Sequence, residues 1–139
     1  MNNKELLIKQ WLLKAEHDLG TAKITFTHLP EYYDTIAFHC QQAVEKYLKA
    51  ILVYNEIEFI KTHNLVYLIS MLEGKLKLGD DLINEAIVLN TYSVQIRYPN
   101  EIIELTKQEL MNAIATAEAF RIIAEEVLLT NNLTTQLDT

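Results

Sequence analysis

The sequence predicts an all-α fold, an up-and-down antiparallel bundle of four long helices plus one short helix. Three observations carry that expectation. Apolar residues recur at helical spacing along four long stretches of the chain. Three glycines and two prolines in 139 residues leave little material for a many-stranded sheet with tight turns. A hydrophobic fraction of 50%, rich in Leu, Ile and Ala with Glu and Lys on the polar side, is the composition of helices packed on helices. A chain of this size removes about 68% of its unfolded surface from water without a disulfide or metal staple.

The first helix is set by Ile8, Trp11, Leu12, Ala15, Leu19, Ala22 and Phe26, from about Lys4 to Thr27, with Pro30 marking the turn that follows. A second helix begins near Glu31 to Asp34 and runs to about Tyr54, carrying Ile36, Cys40, Ala43, Tyr47, Ile51 and Tyr54 on one apolar face. Residues 55–61 then form a connection. A short third helix, capped by Thr62 or Asn64, buries Leu65, Leu68, Ile69 and Leu72. Gly74 and Gly79 bracket the next link. Asp80 or Asp81 caps a fourth helix with Leu82, Ile83, Ala86, Leu89 and Ser93 inward, and Pro99 ends it at or before Tyr98. The clearest local signal is Thr106-Lys-Gln-Glu109, a capping box flanked by Leu105 and Leu110 in the positions of a hydrophobic staple. The last helix starts there, and Leu110, Ala113, Ile114, Ala117, Phe120, Ala124, Val127 and Leu128 sustain it to about Leu129. One helical domain over residues 1–129 and a frayed tail over 130–139 are expected.

Composition also excludes classes of function. The net charge of −7 argues against broad, sequence-independent nucleic-acid binding, which needs clustered Lys and Arg against phosphates. No stretch approaches the roughly 18 uninterrupted apolar residues of a membrane span, so a cytoplasmic protein without membrane contact is the expectation. Cys40 has no second cysteine to pair with and falls on the apolar face, where a buried thiol is expected. A bundle of this kind can host a di-metal carboxylate centre, but no Glu precedes a His by three positions, and the His-Glu-x-x-His pattern is absent. No metal and no cofactor are expected.

The candidate site starts from His39, Gln42, Lys46 and Lys49, which fall within an arc of roughly 80° on the second helix. Lys46 and Lys49 offer charge, and His39 and Gln42 offer directional hydrogen bonds, so the stripe reads as a phosphate or base contact. It reads equally as a solvated helix face, in which Glu45 and Lys49 make an ordinary i,i+4 pair worth a few tenths of a kcal/mol. His63, in Lys61-Thr-His-Asn-Leu65, lies beside the start of the short helix, where free backbone N–H groups can hold an anion or where the ring can serve as a local cap. Arg97, in Arg97-Tyr-Pro99, can clamp a phosphate with its planar fork or settle the last carbonyls of its own helix. Tyr98 can stack on a base or simply pack. The geometric expectation is that the basic flank of the second helix faces the junction holding Arg97 and Tyr98.

His39-Cys-Gln-Gln-Ala-Val-Glu-Lys-Tyr-Leu-Lys-Ala50, then Lys61-Thr-His-Asn-Leu65, then Arg97-Tyr-Pro99 resemble the HEPN domain, a helical-bundle family whose name refers to nucleotide binding, over about Leu7 to Val127. The resemblance implies a bundle that forms a homodimer, is often encoded beside a minimal nucleotidyltransferase as its partner, and in some branches acts as a toxin. Many branches are metal-independent ribonucleases carrying an Arg, four to six residues and then a His. Here Arg97 is followed at those distances by Ile102, Ile103 and Glu104, and no His occurs after His63. The motif's acid–base group is therefore missing. The function expected is a non-enzymatic HEPN-like protein that binds a nucleotide or nucleic-acid ligand, partners a minimal nucleotidyltransferase, and belongs to a toxin–antitoxin pair. The alternatives are an RNA-cleaving toxin pairing Arg97 with His39 or His63, and a purely structural interaction module.

Overall fold

Helix caps and apolar spacing place five helices in the computed structural model of the chain: α1 (Asn3–His28), α2 (Tyr33–Tyr54), α3 (Leu65–Met71), α4 (Asp80–Gln95) and α5 (Lys107–Leu129). The structure describes residues 2–95 and 104–129, with 93–95 and 129 as backbone only. Arg97, Tyr98 and Pro99, the inward placement of Ser93, and the tail at 130–139 lie outside what is described. Within the described residues the fold is the expected all-α bundle without strands.

Local chemistry explains where the helices begin and end. Asn2 caps α1, its Oδ1 accepting from the Glu5 N–H at 2.8 Å. Asn64, of the two candidates, caps α3 and accepts from Val66 at 3.0 Å and Tyr67 at 3.2 Å. The next free donor, the Leu65 N–H, reaches across to Asn90 Oδ1 of α4 at 2.8 Å, so a neighbouring helix completes the cap. Asp80, one of the two residues expected to cap α4, is instead its first helical residue, with the Gly79 carbonyl accepting from Ile83. The capping box opens α5 as its sequence implies. Thr106 Oγ1 accepts from the Glu109 N–H at 3.1 Å, and Glu109 Oε1 accepts from the Thr106 N–H at 2.9 Å.

The hydrogen bonds from Thr106 hold the Glu109 carboxyl below its ordinary pKa. A depressed carboxylate contributes stability that is present above the unfolded-state value and lost as pH falls through the folded one. Thr106→Ala is expected to cost about 1 kcal/mol at neutral pH. The pH-linked part belongs to the carboxylate: in urea melts the difference between Glu109→Ala and the parent should shrink below about pH 4. A pH-independent difference would contradict the box.

The end of α2 is less usual. Glu56 follows the C-cap with φ of 56°, while the Ile57 N–H donates to the Leu52 carbonyl at 3.0 Å in the six-to-one bond of a Schellman turn. A side chain other than Gly in that conformation is strained. The gain from relieving it is partly offset by the flexibility of an unfolded Gly. Glu56→Gly is therefore expected to stabilise the chain by a few tenths to about 1 kcal/mol, since the exposed 3.8 Å pair with Lys4 contributes little. Loss of stability in that variant would refute the strain.

α2 runs through the middle of the bundle, touching α1 along its length and also α3, α4 and α5. Fourteen of its 22 residues are buried, which is far more than one amphipathic stripe supplies. Alongside the expected Ile36, Cys40, Ala43, Tyr47 and Ile51, the core takes in Ala37, Val44, Leu48 and Leu52. α1 adds Ala15, Leu19 and Ala22; α4 adds Ala86, Leu89 and Tyr92; and α5 adds Leu110, Ala113, Ala117, Phe120 and Ala124. Tyr54 and Trp11 are only partly buried and close a smaller cluster around Ile8, Ala50 and Leu128. Burial pushes the Cys40 thiol up to about 12, which fits a residue enclosed by apolar neighbours. A helix enclosed on nearly all sides must also enclose part of its polar stripe, and that decides the character of the site.

Candidate functional site

Two buried carboxylates organise the polar face of α2. The first is Asp18 of α1. It falls in the seam Ile8, Trp11, Ala15, Asp18, Ala22, where three- and four-residue steps place every side chain toward α2. Its Oδ1 accepts from His39 Nδ1 at 2.8 Å, and its Oδ2 accepts from the Lys46 ammonium. The second is Glu45 of α2 itself, with 3% of its side chain exposed. Its Oε1 accepts from His63 Nδ1 at 2.8 Å and from Gln42 Nε2 at 3.4 Å, and its Oε2 accepts from Lys49 Nζ at 3.1 Å.

Gln41 and Gln42 close the second cluster into a ring of bonds. Gln42 Nε2 also donates to Gln41 Oε1 at 2.7 Å, and Gln41 Nε2 donates to the backbone carbonyl of His63 at 2.7 Å. The connection before α3 is thus fastened to α2 at both the main chain and the ring of His63. Lys49 lies 5.1 Å from the centroid of Trp11 and 6.0 Å from that of Phe59, so its ammonium faces aromatic rings as well as a carboxylate.

These distances correct the expectation of an open cationic stripe. Lys46 and Lys49 point inward and are neutralised by Asp18 and Glu45. The solvated-face reading also gives way, because Glu45–Lys49 is a buried pair and not an ordinary surface one. The cause is the depth of α2 in the bundle. Two lysines and two carboxylates cancel, so the fixed charge of the cluster is nil unless a histidine is protonated.

What remains accessible is the outer part of the two histidines. His39 shows 25% of its side chain and His63 shows 55%. A carboxylate accepts only from N–H, so each ring carries a proton on Nδ1, and Nε2 is the atom left for other partners. The fold therefore divides these residues between two clusters on α2, His39 with Lys46 on Asp18, and Gln42, Lys49 and His63 on Glu45. The expected approach of this flank to Arg97 and Tyr98 falls outside the described residues. Among those described, no group of three or more His, Cys, Asp or Glu side chains is arranged to hold a metal ion.

Sequence reasoning passed over Asp18, Gln41 and the structural part played by Glu45. A signal for Asp18 exists, since it is a charged residue in a heptad-like seam that is otherwise apolar. For Gln41 no signal exists, because its partner is a main-chain carbonyl 22 positions away.

The HEPN domain model matches residues 8–127. The chain belongs to the HEPN family. Among relatives of this HEPN chain, the candidate toxin MJ1304 of Methanocaldococcus jannaschii is 28% identical over 124 residues, spanning 79% of this chain and 80% of that protein. Among solved structures, TT1696 from Thermus thermophilus superposes with a TM-score of 0.75 at 26% identity, covering 86% of this chain and 96% of its own. ST0689, an archaeal HEPN homologue, gives a TM-score of 0.69 at 23% identity over 87% of this chain and 97% of its own, a likeness of fold. No helix of the described residues is long and apolar enough to cross a membrane.

Proposed function

We propose that this HEPN protein is the toxin-type member of a two-component pair, binding a nucleotide or RNA at the face formed by His39, Gln42 and His63 and working with a separate minimal nucleotidyltransferase. It acts as a homodimer in the cytoplasm, its single domain covers residues 1–129, and Arg97 and Tyr98 complete the ligand site. One observation carries the reading. Two histidines, one in each cluster along α2, are each fixed through Nδ1 on a buried carboxylate, which leaves Nε2 for another partner in a partly exposed side chain. The name of the M. jannaschii relative, a candidate toxin, supports the paired-system part.

In this proposal the lysines act from behind, holding the carboxylates that orient the histidines, and Arg97 supplies the phosphate contact. Calorimetric titration with ATP, GTP and a short RNA tests it. Binding that is weakened by His63→Ala and by Arg97→Ala, with the helical circular dichroism retained, is the expected result. Silence from all three ligands in a folded sample would end the ligand claim. Co-purification with a co-expressed minimal nucleotidyltransferase is the corresponding test of the pair.

A second reading is favoured by the same anchored rings. A histidine held through Nδ1 on a carboxylate has the tautomer and orientation of a general base, so metal-independent RNA cleavage by His39 or His63 with Arg97 is the alternative. Cleavage of total RNA in EDTA, abolished by His39→Ala or His63→Ala, would favour it, and intact RNA would dismiss it.

A further inference from the structure

We infer that Phe38 is the stacking platform on which a nucleobase sits at this face, an inference that rests on the nucleotide-binding reading above. Phe38 directly precedes His39 in α2, and about 40° of helix rotation separates it from Gln42. Its ring meets the His39 ring edge-to-face, with centroids 5.2 Å apart and planes at 78°. His39 is itself fixed by Asp18, and one turn further along Gln41 holds the His63 carbonyl while Gln42 donates to Gln41 and Glu45. The platform is thus bordered by anchored polar groups while 41% of the phenylalanine stays exposed on a helix that is otherwise largely enclosed.

The charge count gives the second reason. Because Asp18 and Glu45 cancel Lys46 and Lys49, the described part of the face has no fixed positive charge with which to grip a phosphate. Affinity there has to come from a planar, weakly charged group laid on an aromatic surface, with imidazole nitrogens beside it for directional bonds. A nucleobase has that chemistry. The ligand is then either a free nucleotide or one residue of a single-stranded RNA, since both present the same base.

Titrations with adenosine, AMP, a short oligoadenylate and ribose 5-phosphate separate the contributions. Adenosine should still bind, weaker than AMP by the phosphate contact with Arg97, and ribose 5-phosphate should bind about tenfold more weakly than AMP or worse. Phe38→Ala should weaken AMP and adenosine by about tenfold or more, and Phe38→Tyr, which keeps the aromatic face, should restore them. The upfield ring-current shifts of the adenine protons on binding should vanish in Phe38→Ala and persist in Phe38→Tyr. Tighter binding of the oligoadenylate than of AMP assigns the site to RNA, and equal binding assigns it to the free nucleotide; each supports the platform. If Phe38→Ala binds AMP as the parent does while His63→Ala loses it, the platform is refuted and the site stands. If the parent binds none of these probes, both readings fall. If Phe38→Ala alters the sedimentation coefficient without altering nucleotide affinity, the ring is a contact between copies and the inference is overturned.

Discussion

Glu45→Ala is expected to destabilise the bundle by about 3–5 kcal/mol, the cost of leaving a buried charge without its counter-ion. The reason is that one carboxylate serves three partners at once. Without it Lys49, with 6% of its side chain exposed, would keep only the faces of Trp11 and Phe59. His63 would lose the acceptor that orients it, and Gln42 one of its two acceptors. For a chain of this size the change corresponds to a drop in melting temperature of roughly 10–15 °C. Urea unfolding followed by circular dichroism measures it. Removing both charges at once, as Glu45→Leu with Lys49→Met, should recover most of the loss, because an apolar pair of similar volume carries no desolvation penalty. A cost below about 1 kcal/mol for Glu45→Ala would mean that the pair is hydrated and that Lys49 remains available as a charge at this face.

Asp18→Ala is the second large effect, expected at about 2–4 kcal/mol. It is smaller because Lys46 and His39 are less enclosed than Lys49 and can each turn part of the way to water. Asp18→Asn separates the two interactions. An amide oxygen can still accept from His39 Nδ1, whereas the amide nitrogen presents a second donor to the Lys46 ammonium. Stability should therefore fall almost as far as in Asp18→Ala, while ligand affinity that depends on the orientation of His39 should survive in Asp18→Asn and decline in Asp18→Ala. Equal loss of affinity in the two variants would show that Lys46, not His39, is the group that matters to the ligand.

These two carboxylates also mark where reading the sequence stops being sufficient. The five helices are legible because helix formation is governed by near neighbours: the caps at Asn64 and Thr106 and the apolar period of α1 and α5 are local chemistry, and the ends of α1 and α2 and the starts of α3 and α5 agree to within a residue or two. The candidate residues on α2 are legible for the same reason, since His39, Gln42, Lys46 and Lys49 share a face by spacing alone. Which way that face points is not a local property. Period and composition describe a polar stripe identically whether it meets water or another helix.

The sequence by itself determined the helical architecture, the family motifs and the set of polar residues on α2, because each depends on interactions within a few positions of the chain. The tertiary structure alone decided that Asp18, 28 positions from Lys46, and Glu45, 18 from His63, bind that set from within. Desolvation decides which groups must be paired, and it depends on which helices come to enclose them.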